Sequence, residues 1–158
     1  MVESSVKTWH IGGMDRKEYT GLSLDETTFW AYTRLVDWRD KCQNKNKTDM
    51  AKVVFFLLLP NEDDMNAYRA RYAIIRKNLE KAISAWEEDN DQLPVSDDGF
   101  DDLLNHIIGL GEEEYRKNVE NPKLAFDRAD HRDYVESFAY CIPYPGDYAR
   151  KEREQANV

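Results

Sequence analysis

Asp97, Asp98, Asp101 and Asp102 are the densest carboxylates in the sequence, and His106 follows four residues after Asp102. On a helix Asp98 shares a face with Asp102, as do Asp97 with Asp101 and Asp102 with His106. A carboxylate and an imidazole one turn apart can chelate a divalent metal or exchange a proton. The same acids also suit a helix start, where the dipole attracts negative charge. A metal centre needs three or four converging ligands, and the sequence names no second helix that supplies them. Neither a metal nor a cofactor is expected. Asp98, Asp102 and His106 stand as the alternative reading, a metal-dependent or acid/base enzyme.

A second group, Asp127, Asp130, His131 and Asp133, places Asp127 and His131 one helical turn apart. Arg128 and Arg132 interleave with these acids, which favours surface ion pairs over a metal cage. Nucleophilic catalysis finds no G-x-S-x-G, and Cys42 and Cys141 stand outside any Cys/His motif. The two cysteines read as small buried residues, with a disulfide between them left open. No phosphate-binding glycine loop is present, and Gly109-Leu110-Gly111 reads as a helix stop. Without a strong catalytic motif, the chain reads as non-catalytic.

The net charge of −9 over 158 residues disfavours direct binding to nucleic acid or to an anionic membrane. The acids are unevenly spread. Glu87, Glu88, Asp89, Asp91, Asp97, Asp98, Asp101 and Asp102 crowd one stretch that holds no basic residue. With Glu112 to Glu114, that stretch could fill a basic groove. The expected partner is therefore a basic protein, engaged as by an immunity or inhibitor protein or a nucleic-acid mimic. Arg69, Arg71, Arg76, Lys77 and Lys81 read as the solvated face of a helix. Tyr134, Phe138, Tyr140, Tyr144 and Tyr148 read as a segment closing the core, with an interface as second choice. The oligomeric state is open.

What must position these groups is a helical scaffold. Met65, Tyr68, Tyr72, Ile75, Leu79, Ala82 and Trp86 recur at steps of three and four, the period of one buried helical seam. Asn61 follows Pro60 and suits the cap of that helix, which spans about 61–90. Before it, Ser23-x-x-Glu26 matches a capping box, with Phe29, Tyr32 or Thr33, Val36 and Trp38 facing inward. Gln43 to Lys47 ends that helix, and Thr48 or Asp49 caps the next. Val53 to Leu59 is apolar at every position, so periodicity leaves strand open; its helical neighbours favour helix. Ser96 caps a helix with Phe100, Leu103, Leu104, Ile107 and Ile108 inward, ended by Gly109 and Gly111. Glu112 opens another, with Tyr115 and Val119 inward and Pro122 just beyond its end.

The expected fold is all-α: one domain of about five helices around the 61–90 helix. Residues 1–20 form an arm in which Trp9 and Ile11 alternate as in an extended segment. Residues 21–142 form the helical domain, and 143–158 an irregular tail. The N-terminus carries no signal-peptide pattern. The longest apolar run falls far short of the roughly 18 residues of a membrane span. A cytoplasmic location is expected.

Ser96-Asp97-Asp98-Gly99-Phe100, then Ile107-Ile108, Gly111, Tyr115 and Asn121-Pro122 with Leu124, resemble a catalogued bacterial family, domain of unknown function 4240. In that family a Ser-Asp-Asp-x-Phe motif opens a helix, followed by a Trp-Leu-Ile step, a Gly, a second helix and a Pro-containing turn. Phe29-Trp30 resembles the family's early Phe-Trp pair. His106 stands where the family has its Trp, and Leu103-Leu104 where it has Phe-Arg. The resemblance implies a mostly helical fold and a bacterial or phage-like origin, and it brings no activity or catalytic residue.

Overall fold

The computed structural model describes residues 6–11, 14–19, 22–36, 38, 45–134 and 138–157, with the backbone alone for 6–11, 14–19 and 45–49. Cys42, Gly12, Gly13, Gln43 and Asn44 lie outside the described residues. The fold is a helical bundle, as expected, but the count of about five helices is corrected. Eight helices and one hairpin occur among the described residues.

Strands β1 (Val6–Ile11) and β2 (Met14–Tyr19) pair antiparallel, with Val6 opposite Tyr19 and Ile11 opposite Met14. Two glycines separate the strands in sequence, and Gly-Gly between two short runs is itself a hairpin signal. Helix α1 (Glu26–Leu35) is capped by Asp25, whose carboxylate accepts from the Thr28 N–H at 2.9 Å. Ser23 was the expected cap; its hydroxyl instead accepts from Arg71 at 3.1 Å, so the helix begins two residues further on than Ser23 would allow.

Helix α2 (Lys45–Leu58) contains almost all of the apolar run, which is therefore helix and not strand. It begins before both expected caps, Thr48 and Asp49. The long helix α3 (Glu62–Asp89) starts at Asn61, whose Oδ1 accepts from the Asp64 N–H at 2.9 Å. Its seam buries Met65, Tyr68, Tyr72, Ile75 and Leu79 as read, and continues through Ile83 in place of Ala82. Each fully buried Met, Leu or Ile contributes about 1.5–3 kcal/mol, which explains how so long a helix holds. Tyr68 stacks on Phe29 of α1 at 4.7 Å and meets the edge of Phe55 of α2 at 5.3 Å.

The reading of Arg69 as a solvated side chain is corrected. Arg69 is buried and donates to the Ile142 carbonyl at 2.9 Å and the Pro143 carbonyl at 2.6 Å, so it ties the C-terminal stretch to α3. Arg71 likewise donates to the Leu24 carbonyl at 2.6 Å.

Ser96 caps α4 (Asp97–Leu110), and α5 (Glu112–Glu120) follows after Gly111 alone. Gly111 has φ +110, a conformation that glycine supplies without strain. Two further helices went unforeseen. Pro122 lies just beyond the end of α5, as read, and it also opens α6 (Lys123–Asp130). After the short α7 (Phe138–Cys141), the tail expected to be irregular forms α8 (Pro145–Ala156). Pro145 sits in its first turn, and Asp147 accepts from the Tyr144 N–H at 2.8 Å, which satisfies the helix start. Phe138 of α7 packs on Trp38 at 5.7 Å and closes the core. No described helix is long and apolar enough to cross a membrane.

Candidate functional site

Two contacts set how α4 lies on α3. Arg76 pairs with Asp101, and the Tyr72 hydroxyl donates to Asn105 Oδ1. One step back along α3 matches one step forward along α4, so the helices run antiparallel. In that register Asp97 lies level with the region of Glu80, and α3 continues roughly 13 Å past the start of α4. The overhang is covered on one side, where Ile83 is buried and Trp86 packs on Phe126 of α6 at 4.9 Å. Glu88 and Asp89 at its tip are exposed, and Glu87, one turn beyond Ile83, is half-buried.

The eight acids read as one surface divide in this geometry. Glu88, Asp89, Asp91, Asp97 and Asp98 are exposed, and Glu87 is half-buried. Asp101 is half-buried and committed to Arg76, which removes it from the expected surface. Asp102 is also half-buried.

The exposed acids sit in opposite helix fields. Asp97 and Asp98 occupy the first turn of α4, where the dipole stabilises negative charge. Glu87, Glu88 and Asp89 occupy the last turn of α3, which holds no basic residue. There the dipole end is itself negative, and each acid costs about 0.3–1 kcal/mol. The helix is closed by Asn90, whose backbone and side-chain N–H groups both donate to the Trp86 carbonyl, at 3.1 and 2.8 Å. Asp91 follows in the left-handed region at φ +49, where Asp is better tolerated than most residues. Negative charge thus accumulates at the α3 end against the local preference.

His106 is arranged differently from the expectation. It is buried, its ring meets the edge of Trp38 at 5.3 Å, and its Nε2 lies 3.5 Å from Arg128 Nη1. A guanidinium only donates, so His106 Nε2 is the acceptor in that contact. Arg128 also reaches Glu114 at 3.2 Å and Asp133 at 3.1 Å. His106 therefore faces an arginine-centred network built from α4, α5 and α6. Among the described residues no three of His, Cys, Asp and Glu form a metal-binding group, Asp98, Asp102 and His106 included.

The second sequence cluster also dissolves into helix-end contacts. His131 Nδ1 lies 2.6 Å from the Asp127 carbonyl, not its carboxylate, where α6 ends. Asp127, Asp130, His131 and Asp133 are all exposed.

Two features were not read from the sequence. A cleft of about 670 Å³ lies between α1 and the α4–α5 junction, walled by Trp30, Trp38 and Val36, with Arg34 and Glu113 among its polar lining. The apolar spacing of α1 had placed Trp38 and Val36 in the core, and nothing in it distinguishes a cleft wall from core. A groove also runs between α2 and α8, on a helix too uniformly apolar for its outer face to be told from its inner one.

Compared with known protein families, curated proteins and solved structures, the chain matches none, which leaves its resemblance to domain of unknown function 4240 neither strengthened nor weakened.

Proposed function

We propose that this chain is a non-catalytic cytoplasmic binding protein, of the immunity or inhibitor type, whose acidic α3–α4 end engages a basic protein partner. The observation that carries the reading is Glu87, Glu88 and Asp89 in the last turn of α3. These three acids oppose the helix dipole, the last turn of α3 holds no basic residue, and Asp91, Asp97 and Asp98 extend the charge beside them. A stability cost kept at an exposed site fits selection for something other than folding. Such a surface steers a basic partner and resembles the charge of a phosphate backbone without binding one. The enzyme alternative, built on Asp98, Asp102 and His106, is the less favoured, because His106 is buried against Trp38 while Asp98 stands exposed in the first turn of α4.

The test is affinity capture from nuclease-treated host lysate with the intact chain and with Glu87→Gln/Glu88→Gln/Asp89→Asn. A basic protein is retained by the intact chain at low salt, and released at about 1 M salt, where the screening length falls to about 3 Å. The amide variant retains it weakly or not at all. Equal retention by both chains defeats the proposal.

A further inference from the structure

Helix α2 has more apolar surface than the bundle covers. Its inner face buries Ala51 and Phe55, with Leu59 buried just beyond its end, while Met50 is 64 %, Val53 51 % and Leu57 77 % exposed. The three exposed residues follow at steps of three and four, so they form one stripe and not a scatter. Scattered apolar residues are ordinary on a protein surface; a continuous stripe marks a contact surface.

Helix α8 makes the stripe one wall of a groove. The Tyr148 hydroxyl donates to the Leu59 carbonyl at 2.6 Å, and its ring meets Phe56 edge-on at 5.1 Å. Between the helices lies a groove of about 300 Å³, lined by Val53, Phe56 and Leu57 and edged by Arg150, Lys151 and Glu154. The Lys151 ammonium sits 5.1 Å above the Phe56 ring. The Asp147 carboxylate at this edge is already engaged by Lys52 at 3.5 Å, Arg150 at 3.3 Å and the Tyr144 N–H at 2.8 Å.

Charge selects the occupant. At the groove, Lys52, Arg150 and Lys151 stand against Asp147 and Glu154, with Asp147 already engaged by Lys52 and Arg150. The groove edge is thus net positive by one charge on a chain of net charge −9. We propose that the α2–α8 groove docks one amphipathic helix of a partner protein, with an apolar stripe flanked by carboxylates. Its apolar side chains cover Met50, Val53 and Leu57, and its carboxylates meet Lys151 and Arg150. A lysine-flanked helix would bring like charge to the same edge. The groove lies on helices other than those of the acidic end, so this proposal stands independently of the function proposed above.

The probes are two designed helical peptides with the same leucine stripe, one flanked by glutamate and one by lysine. The lysine peptide also has an acidic surface to bind elsewhere on this chain, so the readout must be local. Methyl NMR of Met50, Val53 and Leu57 in the full chain supplies it. The glutamate peptide shifts these methyls at about tenfold lower concentration than the lysine peptide. Leu57→Ser weakens that binding by about tenfold or more, as expected when one leucine loses its burial. Arg150→Glu/Lys151→Glu reverses the preference between the peptides. Leu57 and Arg150 are exposed and Lys151 is half-buried over Phe56, and circular dichroism of each variant checks that the fold is kept. Equal binding of the two peptides at these methyls, or preference for the lysine peptide, overturns the proposal. So does self-association of the unmodified chain in sedimentation that Leu57→Ser abolishes, since the groove then belongs to a second copy.

Discussion

At the scale of single residues, Gly109 is the position whose role depends most on its surroundings. It lies inside α4, where glycine ordinarily weakens a helix relative to alanine by roughly 0.5–1 kcal/mol. A Cβ at this position would meet the Trp38 ring at 2.6 Å and the Phe138 ring at 2.8 Å. The Trp38 indole N–H also donates to the Gly109 carbonyl at 2.7 Å, so the ring has little freedom to retreat. Gly109→Ala should therefore destabilise by about 1–3 kcal/mol through overpacking, against the helix preference. Gly146→Ala, where a Cβ meets nothing within 4 Å, should be neutral or mildly stabilising. Urea unfolding of the two variants checks the contrast, and a stable Gly109→Ala would mean that Trp38 is not packed on α4. Asp25 offers a second residue-scale prediction. The Thr28 N–H, and then the Thr28 hydroxyl, hold its carboxyl below the ordinary carboxylate range. A depressed folded value means that the cap contributes fully above that range and is lost as pH falls through the folded value. Amide exchange in the first turn of α1 should accelerate over that acid window. Asp25→Asn, which keeps a capping side chain without the titration, should remove that part of the acceleration.

At the scale of elements, the two helix termini that meet at the α3–α4 connection make opposite predictions for the same kind of change. Glu87→Gln, Glu88→Gln and Asp89→Asn relieve acids at a negative helix end, and each should stabilise by about 0.3–1 kcal/mol at low salt. Asp97→Asn and Asp98→Asn remove acids from a positive end and should destabilise by a similar amount. Denaturant midpoints at low salt separate the two, and a destabilising triple variant at the α3 end would show unseen partners for its acids. The α3–α4 pair also shows what was legible in the sequence. The α3 seam was readable because its apolar residues keep a three–four step between Asn61 and Asn90, and Ser96 marked α4 equally well. The clustering of acids was readable too. The antiparallel register was not, and it is the register that assigns Asp101 to Arg76 and leaves Glu88 and Asp89 exposed. Helices α6 and α8 were missed because a proline opens each, and a proline read from sequence alone punctuates in either direction. The solvated reading of Arg69 failed for a related reason. Its spacing marks no face, and the carbonyls of Ile142 and Pro143 that receive it come from a segment more than 70 residues away.

At the scale of the whole molecule, a net charge of −9 sets two salt effects against each other. Added salt screens repulsion among the excess acids, which stabilises the compact state, and it weakens ion pairs, which destabilises it. Most of the ion pairs among the described residues have an exposed partner, such as Lys117 with Glu113 and Arg116 with Glu112. Exposed pairs are worth about 0–1 kcal/mol each before screening. Arg76 with Asp101 is more enclosed and is screened less. Repulsion should therefore dominate, and the melting temperature should rise as sodium chloride increases from about 0.01 M to about 0.15 M, over which the screening length falls from about 30 Å to about 8 Å. A gain of 1 kcal/mol corresponds to a rise of about 2–4 °C for a chain of this size. Chloride is the appropriate salt, because sulfate strengthens apolar burial in any protein and would hide the electrostatic effect. The triple variant at the α3 end, with three charges fewer, should show a smaller rise. A melting temperature that falls with chloride would mean that ion pairing outweighs repulsion. The acids at the α3–α4 end would then be offset by cations near them, and the case for an acid surface kept for a partner would fail with it.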